Sequence, residues 1–211
     1  MTNNRSRRLL LAGQVMLATL TLLLGLPFAL TAEPPSCTLP VPVTFSNATI
    51  PRILGHWNFI ASVSRHPRYL EKIKIMKHSS FSYFPGSHEE ELDATTIARV
   101  NETCVVKNTS GIQLFLHNST LLHVDNESVS MAEVMQSNKD LLILKHFHDD
   151  FVGLSLSART LNVSKEHLEE FKAYVHCLGF AEEEIFFTSE EDACPLPWEK
   201  TEEGDKEPKP E

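Results

Sequence analysis

Between residues 57 and 158 the chain falls into eight short segments of strand-forming residues, and only afterwards does its apolar period turn helical. Trp57, Phe59, Ala61 and Val63 alternate, bounded by Gly55 and Pro67. A longer run over 73–84 stops at Pro85-Gly86, and 92–100 follows it. Segment 104–116 alternates through Ile112, Leu114 and Leu116, with Gly111 permitting a bend. Segments 120–124, 129–135, 141–147 and 152–158 complete the set, separated by Asn, Asp, Ser and His clusters that suit hairpins. After Ser164, which can cap, Leu168, Phe171, Val175 and Leu178 share one helical stripe, and Gly179 supplies a stop. A short apolar run over 185–187 offers a ninth strand.

Eight meandering strands and one late helix predict an all-β fold. The expected form is an eight-stranded antiparallel up-and-down barrel, closed so that no edge is left unpaired, with one C-terminal α-helix packed outside. A barrel of that size leaves room for side chains or one small ligand. An immunoglobulin sandwich would use Cys37, Trp57 and Cys104. It fails on the four-cysteine pattern, the strands after Cys104, and the helix.

The ends of the chain read differently from this body. Arg5, Arg7 and Arg8 precede an apolar run from 9 to 30 that leads to Ala32, the pattern of a cleaved signal peptide over 1–32. A membrane anchor is the competing reading, since the run approaches a span. Gln14, Gly13, Gly25 and Pro27 weigh against it. The barrel domain is expected over 33–194, followed by an acidic, Pro-rich, disordered tail over 195–211. The full chain has a net charge of −9, and its last thirty residues carry 12 acids against three lysines. The acidity therefore sits mostly in the tail, and the body lacks the clustered basic charge that nucleic-acid binding requires.

Cys37, Cys104, Cys177 and Cys194 form an even set in a chain with a secretory leader, so two disulfides are expected, with three pairings open. Asn47, Asn101, Asn108, Asn118, Asn126 and Asn162 each head an Asn-x-Ser/Thr triplet, which implies a heavily N-glycosylated surface in a secreted protein.

Gly55-His56-Trp57 at the start of the first strand is the GxW signature of the lipocalins, and Arg159 holds the place of the partner expected over the tryptophan. The match tightens through 36–42, 47–49, 56–62, 153–155, Ser164-Lys165-Glu166, Cys177-Leu178 and Cys194-Pro195-Leu196. Over essentially the whole mature chain the sequence resembles the alpha-1-acid glycoprotein (orosomucoid) branch of the lipocalin family. That resemblance implies pairing of Cys37 with Cys177 and of Cys104 with Cys194. Loops of about 140 and 90 residues would each stabilise the fold by roughly 4–5 kcal/mol through chain entropy.

The resemblance also implies transport in blood plasma of small lipophilic molecules, drugs and steroid-like compounds, often basic, with acute-phase and immunomodulatory roles. Alternation then places Phe59, Phe81, Tyr83, Leu142, Leu144, Ser155 and Ser157 on the barrel interior. His123 takes a position where the family tends to carry a basic residue. Thr96, Ala98 and Val100 stand where the family often has acidic or amide groups, and Ser157 replaces a bulky Tyr, so the pocket should be roomier and less selective for cations.

Other readings are weaker. His146, His148, Asp149 and Asp150 could suggest a metal, but they read as a solvated hairpin end, so no metal or other cofactor is expected. Arg65, Arg68, Lys72, Lys74 and Lys77 read as a solvated basic rim. No catalytic residue is expected, because an isomerase using a barrel thiol would need an unpaired cysteine. Two non-enzymatic alternatives remain: a sphingolipid or fatty-acid carrier of the apolipoprotein M type, and an interaction protein engaging immune receptors through its glycans. All three readings describe a monomer without a stable membrane anchor or nucleic-acid partner.

Overall fold

In a computed structural model of the chain, residues 37–124, 129–135 and 139–196 are described. The expected leader, most of the expected tail and the sequon at Asn126 lie outside them. Eight antiparallel strands follow in chain order: β1 (Gly55–Ser64), β2 (Met76–Pro85), β3 (Glu91–Val100), β4 (Thr103–Phe115), β5 (Thr120–Val124), β6 (Val129–Met135), β7 (Leu141–His148) and β8 (Phe151–Ala158). Each pairs with the next, β8 pairs with β1, and β1 pairs with β2, which closes the barrel. The helices are α1 (Ile50–Ile53), α2 (Pro67–Ile73) and α3 (Lys165–Cys177), and a two-residue strand β9 (Phe186–Phe187) follows. Among the described residues no helix is long and apolar enough to cross a membrane.

Several features depart from the alternation of the sequence, among them register shifts in β2 and on the β3–β4 ladder, and two of them shape the site most directly. The expected strand over 73–84 begins only at Met76, because Pro67–Ile73 forms α2. Pro67 stands at the first helical position, where its fixed φ and missing N–H are tolerated, and it starts a turn that the adjoining apolar residues disguise. The second departure is a register shift in β1 between Phe59 and Ala61. Before it, Trp57 and Phe59 face the interior; after it, Ser62 and Ser64 take the register of the inward Ser155 and of Gly153. Ala61 and Val63 therefore turn outward, against the simple alternation, and lie beneath α3.

This division creates two apolar layers. Inside one end of the barrel, Trp57, Leu92, Ile112, Leu114, Leu121, Val134, Leu142 and Leu144 pack with Phe45 and with Ile53 of α1. Outside, Ala61, Val63, Ile143, Leu154 and Leu156 pack under Phe171 and Val175 of α3, with Phe180 and Ile185. Phe171 and Val175 are fully buried, each adding roughly 1.5–3 kcal/mol of apolar burial. Ser164 caps α3 by accepting from the His167 amide. Its 3.6-residue period therefore reads correctly as the helix covering the barrel wall.

The termini of the fold are tied down. One disulfide joins Cys37 to Cys177 at the end of α3, and the other joins Cys104 of β4 to Cys194. Past Phe59, where β2 diverges, β1 pairs instead with β9 through Ala61 and Ser62. Arg65 grips Glu184 through two nitrogens at 2.7 and 2.8 Å and lies over Phe180. That grip, with the Ala181 amide, holds the Glu184 carboxyl down at about 2. Arg65 and Lys77, which pairs with Glu102, keep the solvent-exposed place expected of the basic rim while engaging these ion pairs.

Candidate functional site: the barrel interior

The floor is built around Trp57. Its indole N–H donates to the Ile53 carbonyl at 2.8 Å, so the short helix α1 plugs this end. The Arg159 guanidinium lies 3.5 Å from the centre of the Trp57 ring and donates to the carbonyls of Arg52, Leu54 and His56. Gly55 has φ +83°, and a Cβ there would meet the Arg159 Nη1 at 3.4 Å. Gly55, Trp57 and Arg159 therefore form one structural unit.

Above the floor the barrel holds a cavity of about 1060 Å³, at the upper end of small-molecule sites. Phe59, His123 and Ser155 of the sequence-derived set line it. Phe81, Tyr83, Leu142 and Leu144 face the same interior but lie toward the Trp57 end. Leu142 and Leu144 are buried in the floor cluster, and Phe81 and Tyr83 pack on it with their rings edge to face at 5.2 Å. Burial pushes the Tyr83 hydroxyl up to about 12, so it stays neutral. Ser157 pairs in register with Phe59 and Leu142, is 1% exposed, and its hydroxyl finds no partner among the described residues.

His146 overturns the reading of a solvated hairpin end. Leu142, Leu144 and His146 alternate on the inner face of β7, and the His146 Nε2 lies 2.7 Å from the Ser155 Oγ across the cavity wall. Enclosure in the barrel lowers its pKa to about 4, so the ring is neutral at physiological pH.

Several wall residues were not anticipated. Ser62 faces inward because of the β1 register shift, and its hydroxyl bonds the Tyr69 hydroxyl, which fixes α2 at the cavity mouth. Burial raises the Tyr69 pKa. Lys107, opposite Thr96 on the β3–β4 ladder, lines the cavity with Arg68 and Lys72, and Glu71 is the one acid among the wall residues. Lys107 was not legible by alternation from Ile112 and Leu114, because the β3–β4 register shifts between Leu92 and Ala94 and so brings Thr109 and Lys107 opposite Ala94 and Thr96. Chemically, the site is an apolar floor beneath hydroxyls, imidazoles and a basic rim.

All four cysteines of the chain are in disulfides, so a thiolate isomerase has no nucleophile here. The geometry is that of a container.

Comparison with known proteins agrees with that description. The profile of the ApoM domain family matches residues 44–197. Alpha-1-acid glycoprotein of Bos taurus is 31% identical over 205 residues, covering 91% of this chain and 97% of that protein. The protein of the same name from Oryctolagus cuniculus is 30% identical over 182 residues, covering 83% and 90%. Among solved structures, the siderocalin Ex-FABP aligns with a TM-score of 0.54 at 16% identity, over 65% of this chain and 93% of that one. Odorant Binding Protein OBP1 aligns with a TM-score of 0.58 at 11% identity, over 73% and 99%. At such identities these two show the fold alone.

Proposed function

This chain belongs to the ApoM domain family alongside the alpha-1-acid glycoproteins, and on that premise we propose that it is a secreted plasma carrier holding small lipophilic molecules in its barrel. It is a binding protein, not an enzyme. The observation that carries the proposal is the cavity itself, roofed by α2 and floored by the Trp57 cluster. An apolar ligand that buries its surface there gains roughly 25 cal/mol per Å², and micromolar affinity requires about 8 kcal/mol. A few hundred Å² of burial therefore suffices without a dedicated polar contact.

Drugs and steroid-like molecules fit the apolar floor. The upper wall argues for a refinement, because Arg68, Lys72 and Lys107 outnumber Glu71 around it. Such a rim favours an acidic head group over an ammonium, so fatty acids and other acidic amphiphiles should bind ahead of neutral steroids, and basic amines last. This brings the cargo nearer the lipid-carrier reading than the basic-drug reading. Five sequon asparagines, Asn47, Asn101, Asn108, Asn118 and Asn162, are exposed on the outer surface. That surface supports glycosylation, and through it an acute-phase or immunomodulatory role.

The test is a titration of the delipidated, glycosylated protein with a fatty acid, a neutral steroid and a lipophilic amine, following Trp57 in a Trp198→Phe background. Saturable, mutually competitive quenching in that order is expected, with Lys107→Gln weakening the fatty acid several-fold and leaving the steroid unchanged. No binding of any class by calorimetry, before and after glycan removal, would overturn the carrier reading. Immune-cell binding lost on glycan removal would then favour the interaction reading.

A further inference from the structure

At the mouth of the barrel three metal-ligating side chains converge from two separate segments. His66 precedes α2, His148 ends β7, and Asp149 follows in the turn to β8. One donor atom from each lies within 4.8 Å of the other two. The His66 Nε2 stands 3.6 Å from the Asp149 Oδ2, and the two imidazole rings meet edge to face with centroids 4.1 Å apart.

The convergence is built by the backbone. Consecutive residues of a strand point to opposite faces, so His148 and Asp149 would ordinarily diverge. Asp149 has φ +50°, in the left-handed region, and this turns its carboxylate back toward the rings. His66 is buried and held from three sides: its amide donates to the Ser64 Oγ, Pro67 fixes the following backbone, and the Phe151 ring packs against it. Its backbone is therefore fixed, and its ring packed on one side, before any ligand arrives.

We propose that His66, His148 and Asp149 form a site for a late first-row divalent ion of the Zn²⁺ class. Two imidazole nitrogens and one carboxylate oxygen suit that class, whereas Ca²⁺ and Mg²⁺ require mostly oxygen ligands. Metal–ligand bonds of about 2.0–2.1 Å place the donors of a tetrahedral site about 3.3–3.4 Å apart. The 3.6 Å between the His66 Nε2 and the Asp149 Oδ2 is close to that spacing, while the two imidazoles, now in edge-to-face contact, must part for both to reach one ion. His66 and His148 also line the cavity, which leaves the fourth position to water or to a donor atom of a bound molecule. The site is independent of which lipophile the barrel carries.

The experiment is calorimetric titration of the full glycosylated protein with ZnCl₂, and Co²⁺ absorption as a report on tetrahedral geometry. One ion per chain is expected, with a tetrahedral cobalt spectrum. His148→Ala and Asp149→Asn should each weaken binding at least tenfold. Asn tolerates the left-handed backbone, so Asp149→Asn keeps the turn, and a matched melting temperature shows that the fold is intact. His117→Ala, at the β4–β5 turn, should leave binding unchanged. Absence of saturable binding, or binding that survives both His148→Ala and Asp149→Asn, overturns the site.

Discussion

The guanidinium of Arg159 lies 3.5 Å from the centre of the Trp57 ring, and its nitrogens reach three backbone carbonyls on the chain entering β1. The residues are about a hundred positions apart in sequence, yet this one side chain joins α1, β1 and the end of β8. A cation over an indole contributes about 0.5–2 kcal/mol, and hydrogen bonds from a charged donor about 1.5–3 each before non-additivity. Arg159→Ala should therefore destabilise the protein by about 2–4 kcal/mol. Arg159→Lys should recover little, because one ammonium cannot hold the planar fork. Urea unfolding followed by Trp57 emission measures both, and a loss below about 1 kcal/mol for Arg159→Ala would contradict the keystone role.

Gly55 carries the second prediction. Its φ of +83° disfavours any side chain, although a Cβ there would only touch the Arg159 Nη1 at van der Waals distance, 3.4 Å. Gly55→Ala should cost about 1–3 kcal/mol through backbone strain. Combined with Arg159→Ala the penalties should be close to additive, since the strain belongs to the Gly55 backbone and a Cβ at 3.4 Å leaves the guanidinium in place. A strongly non-additive double-mutant cycle would show that the added methyl displaces the guanidinium.

Part of the acid sensitivity of the fold should trace to His78, beside the share of His146, whose pKa burial lowers to about 4. The His78 ring is 2% exposed on β2, and neither nitrogen finds a hydrogen-bond partner among the described residues. Burial lowers its pKa, with Arg99 and His56 adding to the effect and Asp192 opposing it. In the unfolded chain the ring titrates at its ordinary value of about 6.5, so below that pH the unfolded state binds the proton first. The contribution to stability is complete above about pH 6.5 and is lost as pH falls from there toward the lowered folded value. His78→Leu should flatten that limb of the stability–pH curve. An unchanged slope between pH 6.5 and 5 in the variant would assign the sensitivity elsewhere.

Much of this architecture was legible because each strand buries one face. Alternation located all eight strands, the helical period located α3, and the GxW tripeptide located the floor. What escaped notice were events that break a period without changing composition. The shift after Phe59 swaps Ala61 and Val63 for Ser62 and Ser64 on the inner face, and no residue type marks it. Helix α2 ends at Ile73 with only two residues before β2 begins, so the last apolar residue of the helix was read as the start of the strand. His146 misled for a different reason. Polar residues near a hairpin usually meet water, but the inner face of β7 runs on from Leu142 and Leu144 to His146 beside the cavity. Nor could spacing along one strand show that His66, from another segment, meets His148.

The helix and the cavity wall should separate stability from binding. Phe171 is fully buried between α3 and the outer barrel face, on the far side of the wall from the cavity it does not line. Phe171→Ala should cost about 3–5 kcal/mol by transfer and cavity terms, leaving cargo affinity nearly unchanged in whatever fraction stays folded. Thermal melting with and without cargo distinguishes the two quantities. A large affinity loss at a temperature where the variant is fully folded would couple α3 to the interior.

Ser157 should behave in the opposite sense. Its hydroxyl is buried on the inner wall between Phe59 and Leu142, and finds no partner among the described residues. A buried, unsatisfied polar group costs about 1–3 kcal/mol, while a methyl in its place fits the same space and needs no partner. Ser157→Ala should therefore stabilise the cargo-free protein by about 1 kcal/mol. If the hydroxyl is a cargo contact, as the interior position proposes, the same change weakens a hydroxylated or keto steroid several-fold and spares a saturated fatty-acid chain. Stability and steroid affinity would then move in opposite directions at a single atom, which a melting curve and a paired titration read directly. Stabilisation with unaltered affinity for both classes would assign Ser157 to packing alone.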